Sequence, residues 1–531
     1  MARVVISSAA AFLLLLLWCH AFASFAAASG GRRPPPMLAR HLSSSAAALS
    51  ARQAVTAGGS DPSSMVQYET RWYAQRLDHF NAAPASYVTF QQRYLVNDTF
   101  WGGRTAPIFL FAGGEADVEL YSNYTGFLWE AAPRFRAMVL FIEHRYYGRT
   151  MPFGSREAAF TDASTLGYLT STQALADYAT LVLSLKANLS AASAPVVVFG
   201  GSYAGMLAAW MRLKYPHIVV GAVASSAPVL GFYGLADPYA FYDVVTKDFK
   251  DESKNCYDVL RKSWNELDDA LATEAGRAEL NRKFNNICNG NVDMIPELLD
   301  AALVGSAMMD YPTTSAAGFR AVRDMCRAID HPTRSGAGAG AGDAFSRISA
   351  AVNVYYSHYA ADAADAACFG YASADAAGEP YGGGMVDGWG WQSRTEMVLM
   401  TAGVRDGGVA RPRSFNFTQM LDEQREYTGL PLRPYWIEAE FGGFDIGNVL
   451  RRSASNIVFF NGLRDPWSAF GVLKSISDSI VALVEPQGAH NVDLKFSEKD
   501  DPDWLKQVRV KETRIIARWL RQYYSDERVS A

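Results

Sequence analysis

VVVFGGSYAGMLAAWMRLKYPH, residues 196–217, is the stretch that decides the fold. Its first four residues are apolar and predict a buried strand, and the two glycines predict a tight corner. Residues 206–215 then predict a helix, which Pro216 ends. A serine placed at such a corner has its hydroxyl raised above the sheet, beside the first N–H groups of the helix. The sequence therefore predicts a nucleophile at Ser202.

The same alternation of apolar strands and helices continues on both sides of this corner. Further strands are predicted at 107–111, 138–142, 219–224, 456–460 and 480–484, and helices at 169–185 and 508–523. Alternation of this kind builds βαβ units and a parallel sheet, so the fold class is α/β. Residues 237–434 are mainly helical in pattern. We therefore predict a core in two parts, 66–236 and 435–531, interrupted by a helical insertion (cap) domain.

The amino-terminal residues have the pattern of a targeting segment. Arg3 precedes an apolar run over residues 4–21, and Ala21-Phe22-Ala23 supplies small residues for cleavage. This predicts a signal peptide at 1–23, with a membrane anchor as the alternative. Residues 24–65 are rich in Ala, Ser, Arg and Pro, and predict a disordered leader or propeptide. No membrane anchor is expected after processing.

Composition limits the class of protein. The chain has 531 residues, more than one ordinary hydrophobic core accommodates, so an insertion or a second domain is expected. Of these residues 49% are hydrophobic, as in a globular protein. The net charge of −5 provides no basic surface for nucleic acid, which is therefore excluded as a partner.

Four cysteines remain outside the signal peptide: Cys256, Cys288, Cys326 and Cys368. An even number in an exported chain predicts two disulfides, and three connectivities are open. A metal site is not expected, because no close CxxC or HxxxH spacing occurs. Acceptor triplets for N-linked glycans begin at four positions: Asn97, Asn123, Asn188 and Asn416.

A serine hydroxyl needs a base to remove its proton, so Ser202 can act as a nucleophile only if the chain supplies a suitable partner. In α/β-hydrolases the order is Ser, then Asp or Glu, then His, on loops after late strands. Only His490 follows the last predicted strand, and Asp465 follows the strand before it. Singly, a surface histidine and a turn aspartate are equally good interpretations. Their joint placement predicts a Ser202–Asp465–His490 triad.

Acyl transfer also needs two N–H donors at the oxyanion. The residue after the nucleophile, Tyr203, supplies one. The second is expected in the glycine loop after the strand at 107–111. We predict Gly114, with Gly113 and Glu115 as the neighbouring alternatives.

Several motifs together resemble one known family. They are QRLDHF (75–80), EHRYYG (143–148), QALADY (173–178), GGSYAGMLAAW (200–210), DPW (465–467) and GAH (488–490). The set resembles the serine peptidases related to lysosomal prolylcarboxypeptidase and dipeptidyl peptidase II, from about residue 68 to the end of the chain. The resemblance implies an exopeptidase that cleaves peptides beside proline in a lysosome- or vacuole-like compartment or outside the cell. It also implies an α/β-hydrolase core with a disulfide-stapled helical cap domain.

The resemblance also assigns roles to individual residues. It implies that Met206 and Trp467 line the pocket for proline, and that residues 143–145 form a structural polar network. It further implies disulfides that pair Cys256 with Cys326 and Cys288 with Cys368. No cofactor or metal is implied, and a homodimer is compatible with the family.

This sequence departs from the family pattern at several places. Arg149-Thr150 replaces the usual Glu-Ser, and Asn491 replaces the second of two histidines. These changes leave the triad complete but bear on which peptide end is recognised. We therefore favour a Pro-Xaa carboxypeptidase, with a dipeptidyl peptidase II-like enzyme as the alternative. An esterase or a catalytically silent binding protein on the same fold is less favoured.

Overall fold

The computed structural model describes residues 66–285, 287, 290–312, 319–331, 343–360 and 383–530. The predicted signal peptide and leader therefore lie outside the described residues, as does the predicted Cys288–Cys368 disulfide.

Eight strands form one mixed sheet in the order β1-β2-β4-β3-β5-β6-β7-β8. Strand β2 is antiparallel to both of its neighbours, β1 and β4, and every other pair of neighbouring strands in this sheet is parallel. The strands are β1 Glu69–Arg76, β2 Thr89–Asn97, β3 Ile108–Ala112, β4 Met138–Ile142, β5 Val196–Gly201, β6 Val219–Ser225, β7 Ile457–Gly462 and β8 Ile480–Glu485. The predicted α/β class is confirmed.

Helices connect the strands. They are α1 Val118–Tyr124, α2 Gly126–Phe135, α3 Arg156–Ala159, α4 Ala163–Leu166, α5 Ser171–Asn188, α6 Tyr203–Lys214, α7 Ala240–Glu252, α8 Lys254–Leu271, α9 Glu274–Lys283, α10 Ile295–Met308, α11 Ala321–Asp330, α12 Ala344–Ala360, α13 Gly383–Gln392, α14 Phe417–Thr428, α15 Trp436–Phe441, α16 Ile446–Ser453 and α17 Asp503–Ser530. Short 3₁₀ segments occur at Pro84–Tyr87, Pro152–Gly154, Val292–Met294, Gly443–Asp445, Pro466–Phe470 and Val492–Leu494, and a π-helix at Ser393–Met397. No helix in the described part of the chain is both long and apolar enough to span a membrane.

The predicted strands and helices are all present, with ends that differ by a few residues. The sequence reasoning missed β1 and β2. Strand β1 lies at the sheet edge and pairs only with β2 among the described strands, and most of its side chains are exposed or half-buried. Because it is not covered on both faces, β1 lacks the continuous apolar run that identified the inner strands.

Both faces of the sheet are covered by helices. Along β5, Val196 and Val198 pack in a core cluster with α5 and α6, whereas Val197 and Phe199 pack on the other side with α2 and α17. Alternate side chains of a strand point to opposite faces, so an uninterrupted apolar strand needs cover on both. This arrangement holds the carboxyl end of β5, and Ser202 after it, at a fixed height above the sheet.

Between β6 and β7 the described chain is mainly helical and contains α7 to α16. A disulfide joins Cys256 of α8 to Cys326 of α11, which confirms the first predicted pair. The helical segment shares a hydrophobic cluster with the loops after β7 and β8, through Phe241, Trp467 and Val492. Its boundaries as a separate cap domain, at 237 and 434, stay a prediction.

Candidate active site

The corner between β5 and α6 has the backbone conformation of a nucleophile elbow. Ser202 has φ 59° and ψ −128°, a backbone conformation that residues other than glycine rarely adopt. Its N–H donates to the carbonyl of Ser225 at 2.9 Å, and its carbonyl accepts from Met206 N at 3.0 Å. These bonds to β6 and α6 hold the strained residue in place. The side chain of Ser202 is partly exposed.

Close backbone contacts explain the glycines around Ser202. A Cβ on Gly200 would overlap with the carbonyl group of Ala204, and one on Gly205 would lie 2.7 Å from the carbonyl oxygen of Ser225. Larger residues would therefore push α6 away from the strands. Ala204, where the usual motif has a second glycine, is fully buried and tolerated.

The predicted base, His490, and the predicted orienting carboxylate, Asp465, are directly paired. His490 Nδ1 lies 2.7 Å from Asp465 Oδ2, and both side chains are buried. The other carboxylate oxygen of Asp465 accepts the backbone N–H of Trp467 at 3.1 Å, which orients the carboxylate. Since a carboxylate can only accept, Nδ1 carries the imidazole proton and Nε2 presents a lone pair. This is the tautomer that a general base requires.

The base loop lies beside the nucleophile corner. A Cβ on Gly201 would lie 2.7 Å from the side chain of Asn491, so the residues adjacent to Ser202 and His490 are in contact. Nε2 of His490 is buried and has no hydrogen-bond partner among the described residues, so it is not bonded to Ser202. In enzymes without substrate, this bond is often long.

The predicted oxyanion donors flank the same corner. Tyr203 is the first residue of α6, so its N–H has no acceptor within the helix. Gly114 packs against α6, since a Cβ placed on it would lie 3.2 Å from the Cβ of Ala204. That same Cβ would also lie 2.6 Å from the hydroxyl oxygen of Tyr121. The glycine at position 114 thus lets its loop approach the nucleophile helix closely.

A hydrogen-bonded chain positions the ring of Tyr203. His144 Nδ1 lies 2.7 Å from the carbonyl of Arg145, an acceptor, so Nδ1 carries the proton and Nε2 accepts from the Tyr203 hydroxyl at 3.1 Å. The Tyr203 oxygen in turn accepts from the Gln392 amide at 2.7 Å. Burial lowers the pKa of His144 to about 4, so its ring stays neutral in mildly acidic solution.

Gln392 was not predicted from the sequence. It lies at the end of α13, immediately before the π-helix Ser393–Met397, and its amide also donates to Glu396 at 3.1 Å. Glu396 accepts the N–H and the hydroxyl of Ser171. A π-helical turn often marks a functional position. The resemblance covers residues 391–396, where Arg394 stands in place of the family's frequent cysteine, but it assigned no role to Gln392. This series of hydrogen bonds links the helical segment between β6 and β7 to Tyr203, the residue after the nucleophile.

The EHR motif forms the predicted polar network. Glu143 accepts hydrogen bonds from Arg93 and from the hydroxyl of Thr150 at 2.7 Å. Arg145 binds Asp177 through two nitrogens, at 2.8 and 2.7 Å. Buried charges are expensive unless they are paired, and each is paired here. The motif therefore joins β2, β4 and α5 behind the site.

The two predicted pocket residues are buried. Met206 packs in the cluster beneath α6, one turn after Ser202. Trp467 packs at 4.9 Å between ring centroids against Phe241 of α7. Their role in binding proline stays a prediction.

The predicted glycan acceptors lie at the surface to different degrees. Asn188 and Asn416 are exposed, whereas Asn97 and Asn123 are half-buried. Asn416 also caps α14, because its side chain accepts the N–H of Gln419. Glycosylation at all four positions stays a prediction. Within the described residues, no group of three or more His, Cys, Asp or Glu side chains is arranged to hold a metal ion.

A pair of buried acids lies beneath the site. Asp493, three residues after His490, accepts a hydrogen bond of 2.5 Å from the hydroxyl of Ser225. Burial raises the pKa of Asp493 to about 6, and burial together with the charge of Asp493 raises the pKa of Glu512 well above its usual value. Two adjacent buried carboxyls cannot both ionise cheaply, so the pair retains a proton.

We expect this pair to make the protein less stable as pH rises. Because both pKa values are raised in the folded state, its contribution is most favourable at low pH and is lost as pH increases through about 6. Glu512→Gln should therefore stabilise the protein more at pH 8 than at pH 5, by roughly 1 to 3 kcal/mol in unfolding free energy. Unfolding measured at both pH values tests this. Glu527→Gln, an exposed change on the same helix, is the control and should show no such difference.

Comparison with known proteins supports the resemblance noted in the sequence. The family model described as serine carboxypeptidase S28 matches residues 75–512. The lysosomal Pro-X carboxypeptidase of Pongo abelii is 35% identical over 473 residues, which cover 87% of this chain and 90% of that protein. The protein of the same name from Homo sapiens is 34% identical over 473 residues, with coverage of 87% and 90%. The thymus-specific serine protease of Mus musculus is 29% identical over 480 residues, with coverage of 85% and 87%.

Proposed function

The chain belongs to the serine carboxypeptidase S28 family of serine-type peptidases, and we propose that it is an exopeptidase that cleaves peptides beside proline, as a Pro-Xaa carboxypeptidase. One observation carries this proposal: the buried Asp465–His490 pair, with the lone pair of Nε2 available, beside the strained elbow of Ser202. That arrangement supports acyl transfer through a serine nucleophile.

In the proposed mechanism, Ser202 Oγ attacks the scissile carbonyl while His490 Nε2 takes its proton. Asp465 holds the imidazole and stabilises the imidazolium that forms. His490 then returns the proton to the leaving amine, and the acyl-enzyme remains. A water molecule, deprotonated by the same nitrogen, releases the acid product and regenerates Ser202.

The N–H groups of Tyr203 and Gly114 are proposed to bind the oxyanion of each tetrahedral intermediate. Donors that are already oriented stabilise this charge without reorganisation, which is worth about 3 to 4 kcal/mol for one donor. The chain from His144 through Tyr203 to Gln392 supports this role, because it restrains the residue that supplies one donor.

Proline specificity is proposed from the relatives and from the pocket prediction. Two compared relatives are named lysosomal Pro-X carboxypeptidases, and we extend the preference for proline in that name to this chain. Met206 and Trp467 are proposed to contact the proline ring, which a flat apolar surface accommodates. Peptides that contain proline are thus the proposed partners. The names of these relatives support a lysosome-like location. The predicted signal peptide supports entry into the secretory pathway, from which a vacuole or the outside of the cell can also be reached.

We expect purified protein to cleave the Pro–Xaa bond of a tripeptide with a blocked amino end. The matched substrate has the same sequence with an amidated carboxyl end and should be cleaved far more slowly, because the proposed enzyme recognises the terminal carboxylate. Peptide products are measured by mass spectrometry. A requirement for a free amino end would contradict the carboxypeptidase and favour the dipeptidyl peptidase II-like alternative. Activity on esters alone would favour an esterase.

A further inference from the structure

Glu115 is a buried carboxyl group that the mechanism above does not use. It follows Gly114 in the loop after β3 and is 2% exposed. Its Oε2 accepts a hydrogen bond from the Tyr121 hydroxyl at 3.2 Å. The same hydroxyl packs against Gly114, since a Cβ there would lie 2.6 Å from it. Tyr121 therefore joins the carboxyl group to the residue that is proposed to supply an oxyanion donor.

The surroundings of Glu115 disfavour a negative charge. Burial raises the pKa of Glu115 to about 7, although the Tyr121 hydrogen bond and the charge of His490 act in the opposite direction. A group with this pKa changes from neutral to charged across neutral pH.

The charge of Glu115 in turn helps to raise the pKa of three buried tyrosines. They are Tyr121 of α1, Tyr147 in the loop after β4 and Tyr178 of α5. Burial raises the pKa of each well above 10, so they remain neutral. Asp117, also in this loop, is paired with Arg93. Of the two carboxyls in this loop, Asp117 is ion-paired with an arginine, whereas Glu115 has no ion-pair partner among the described residues.

We propose that Glu115 is a positioning residue: its carboxyl holds the oxyanion loop through the hydrogen bond from Tyr121, and its neutral form supports catalysis because its ionised form opposes the oxyanion. The reaction creates a negative charge on the substrate oxygen beside Gly114. A second negative charge nearby in a site of low dielectric repels the first and raises the barrier. This inference rests on the proposed serine peptidase function and extends it to the pH dependence of the same site.

The test measures how fast a fluorophosphonate probe labels Ser202 between pH 5 and pH 8.5. In this reaction the serine oxygen bonds to phosphorus, fluoride leaves and His490 takes the proton. The reaction places negative charge in the oxyanion site but does not depend on peptide specificity. With Glu115→Gln, which is neutral at every pH, the labelling rate relative to wild type should rise about tenfold from pH 6 to pH 8.

Tyr121→Phe is a second variant that does not alter the carboxyl group. Loss of the hydroxyl removes a hydrogen bond that lowers the pKa of Glu115, so the decline of the labelling rate should move to higher pH. Asp300→Asn is the matched control. Asp300 is also buried and also accepts a tyrosine hydrogen bond, from Tyr242 at 2.9 Å, but it lies on α10 of the helical segment and not in the loop after β3. Its profile should follow that of wild type.

Each outcome decides between the alternatives. If the labelling rate of Glu115→Gln divided by that of wild type stays constant between pH 6 and pH 8, the inference is overturned. Labelling of the wild type in the same experiment would still uphold the serine nucleophile. If circular dichroism shows that Glu115→Gln does not fold, the Tyr121→Phe variant decides. A pH profile of its labelling rate that is not shifted from wild type overturns the inference. Absence of labelling in the wild type at every pH overturns the proposed function, and the inference with it.

Discussion

Replacement of Ser202 with alanine is expected to lower kcat by about a thousandfold or more on a proline-containing peptide. The change removes the attacking oxygen, and no other hydroxyl among the described residues takes the elbow position. Folding should be retained, because Ser202 makes its bonds to Ser225 and Met206 through the backbone and its side chain makes no capping hydrogen bond. Circular dichroism and product formation measure the two effects.

Ser190→Ala is the matched control for this variant, with both variants made in a host that adds no N-linked glycans, because the change at 190 also removes the acceptor triplet at Asn188. Ser190 is exposed and also has a positive φ, 52°, so the same substitution is made at another serine with positive φ, after a different helix. Its kcat should stay within about twofold of wild type, as expected for a surface change. If the Ser202 variant retained turnover within tenfold of wild type, the proposed nucleophile would be wrong.

Replacement of Asp465 with asparagine is expected to lower kcat by about 10⁴-fold at neutral pH. Asparagine can still accept the Trp467 N–H through its oxygen, so the backbone turn should persist. Its NH₂ group would then face His490 Nδ1 and favour the tautomer in which Nε2 carries the proton. That imidazole cannot accept the serine proton. The expected loss is therefore chemical, and the free energy of unfolding should change little by comparison.

Both kcat from steady-state kinetics and the rate of fluorophosphonate labelling should fall in the Asp465→Asn variant. Asp248→Asn is the control, because Asp248 is a buried carboxyl beside Arg464, the residue that precedes Asp465. Burial raises the pKa of Asp248 to about 8, so this group is already largely protonated at neutral pH. Its neutralisation should cost less than tenfold in kcat. Equal losses in the two variants would contradict a specific role for Asp465.

The candidate site was predictable wherever it depended on local pattern and chain order. Apolar runs identified the inner strands, and parallel strands bring their carboxyl ends to one edge of a sheet. Loops that follow such strands are therefore neighbours, which is why Asp465 and His490 could be paired across 25 residues. Their hydrogen bond confirms the pairing of these two side chains. Their catalytic roles stay a proposal.

Other features could not be derived in this way. The Gln392–Tyr203 contact joins residues 189 positions apart, and the Ser225–Asp493 contact joins residues 268 apart. No periodicity relates such residues, because the contacts depend on how the helices pack on the sheet. The same is true of the pKa of Glu115, which arises from burial among three tyrosines on separate elements.

The amino-acid sequence by itself determined the α/β class, the elbow at Ser202 and the candidates for its acid and base. It could do so because strand and helix periodicity, turn glycines and the order of loops are local properties of the chain. Only the tertiary structure decided which nitrogen of His490 is protonated, how Tyr203 is restrained and which carboxyls lie buried beside the oxyanion loop. Protonation and burial depend on neighbours that folding brings together from distant parts of the chain.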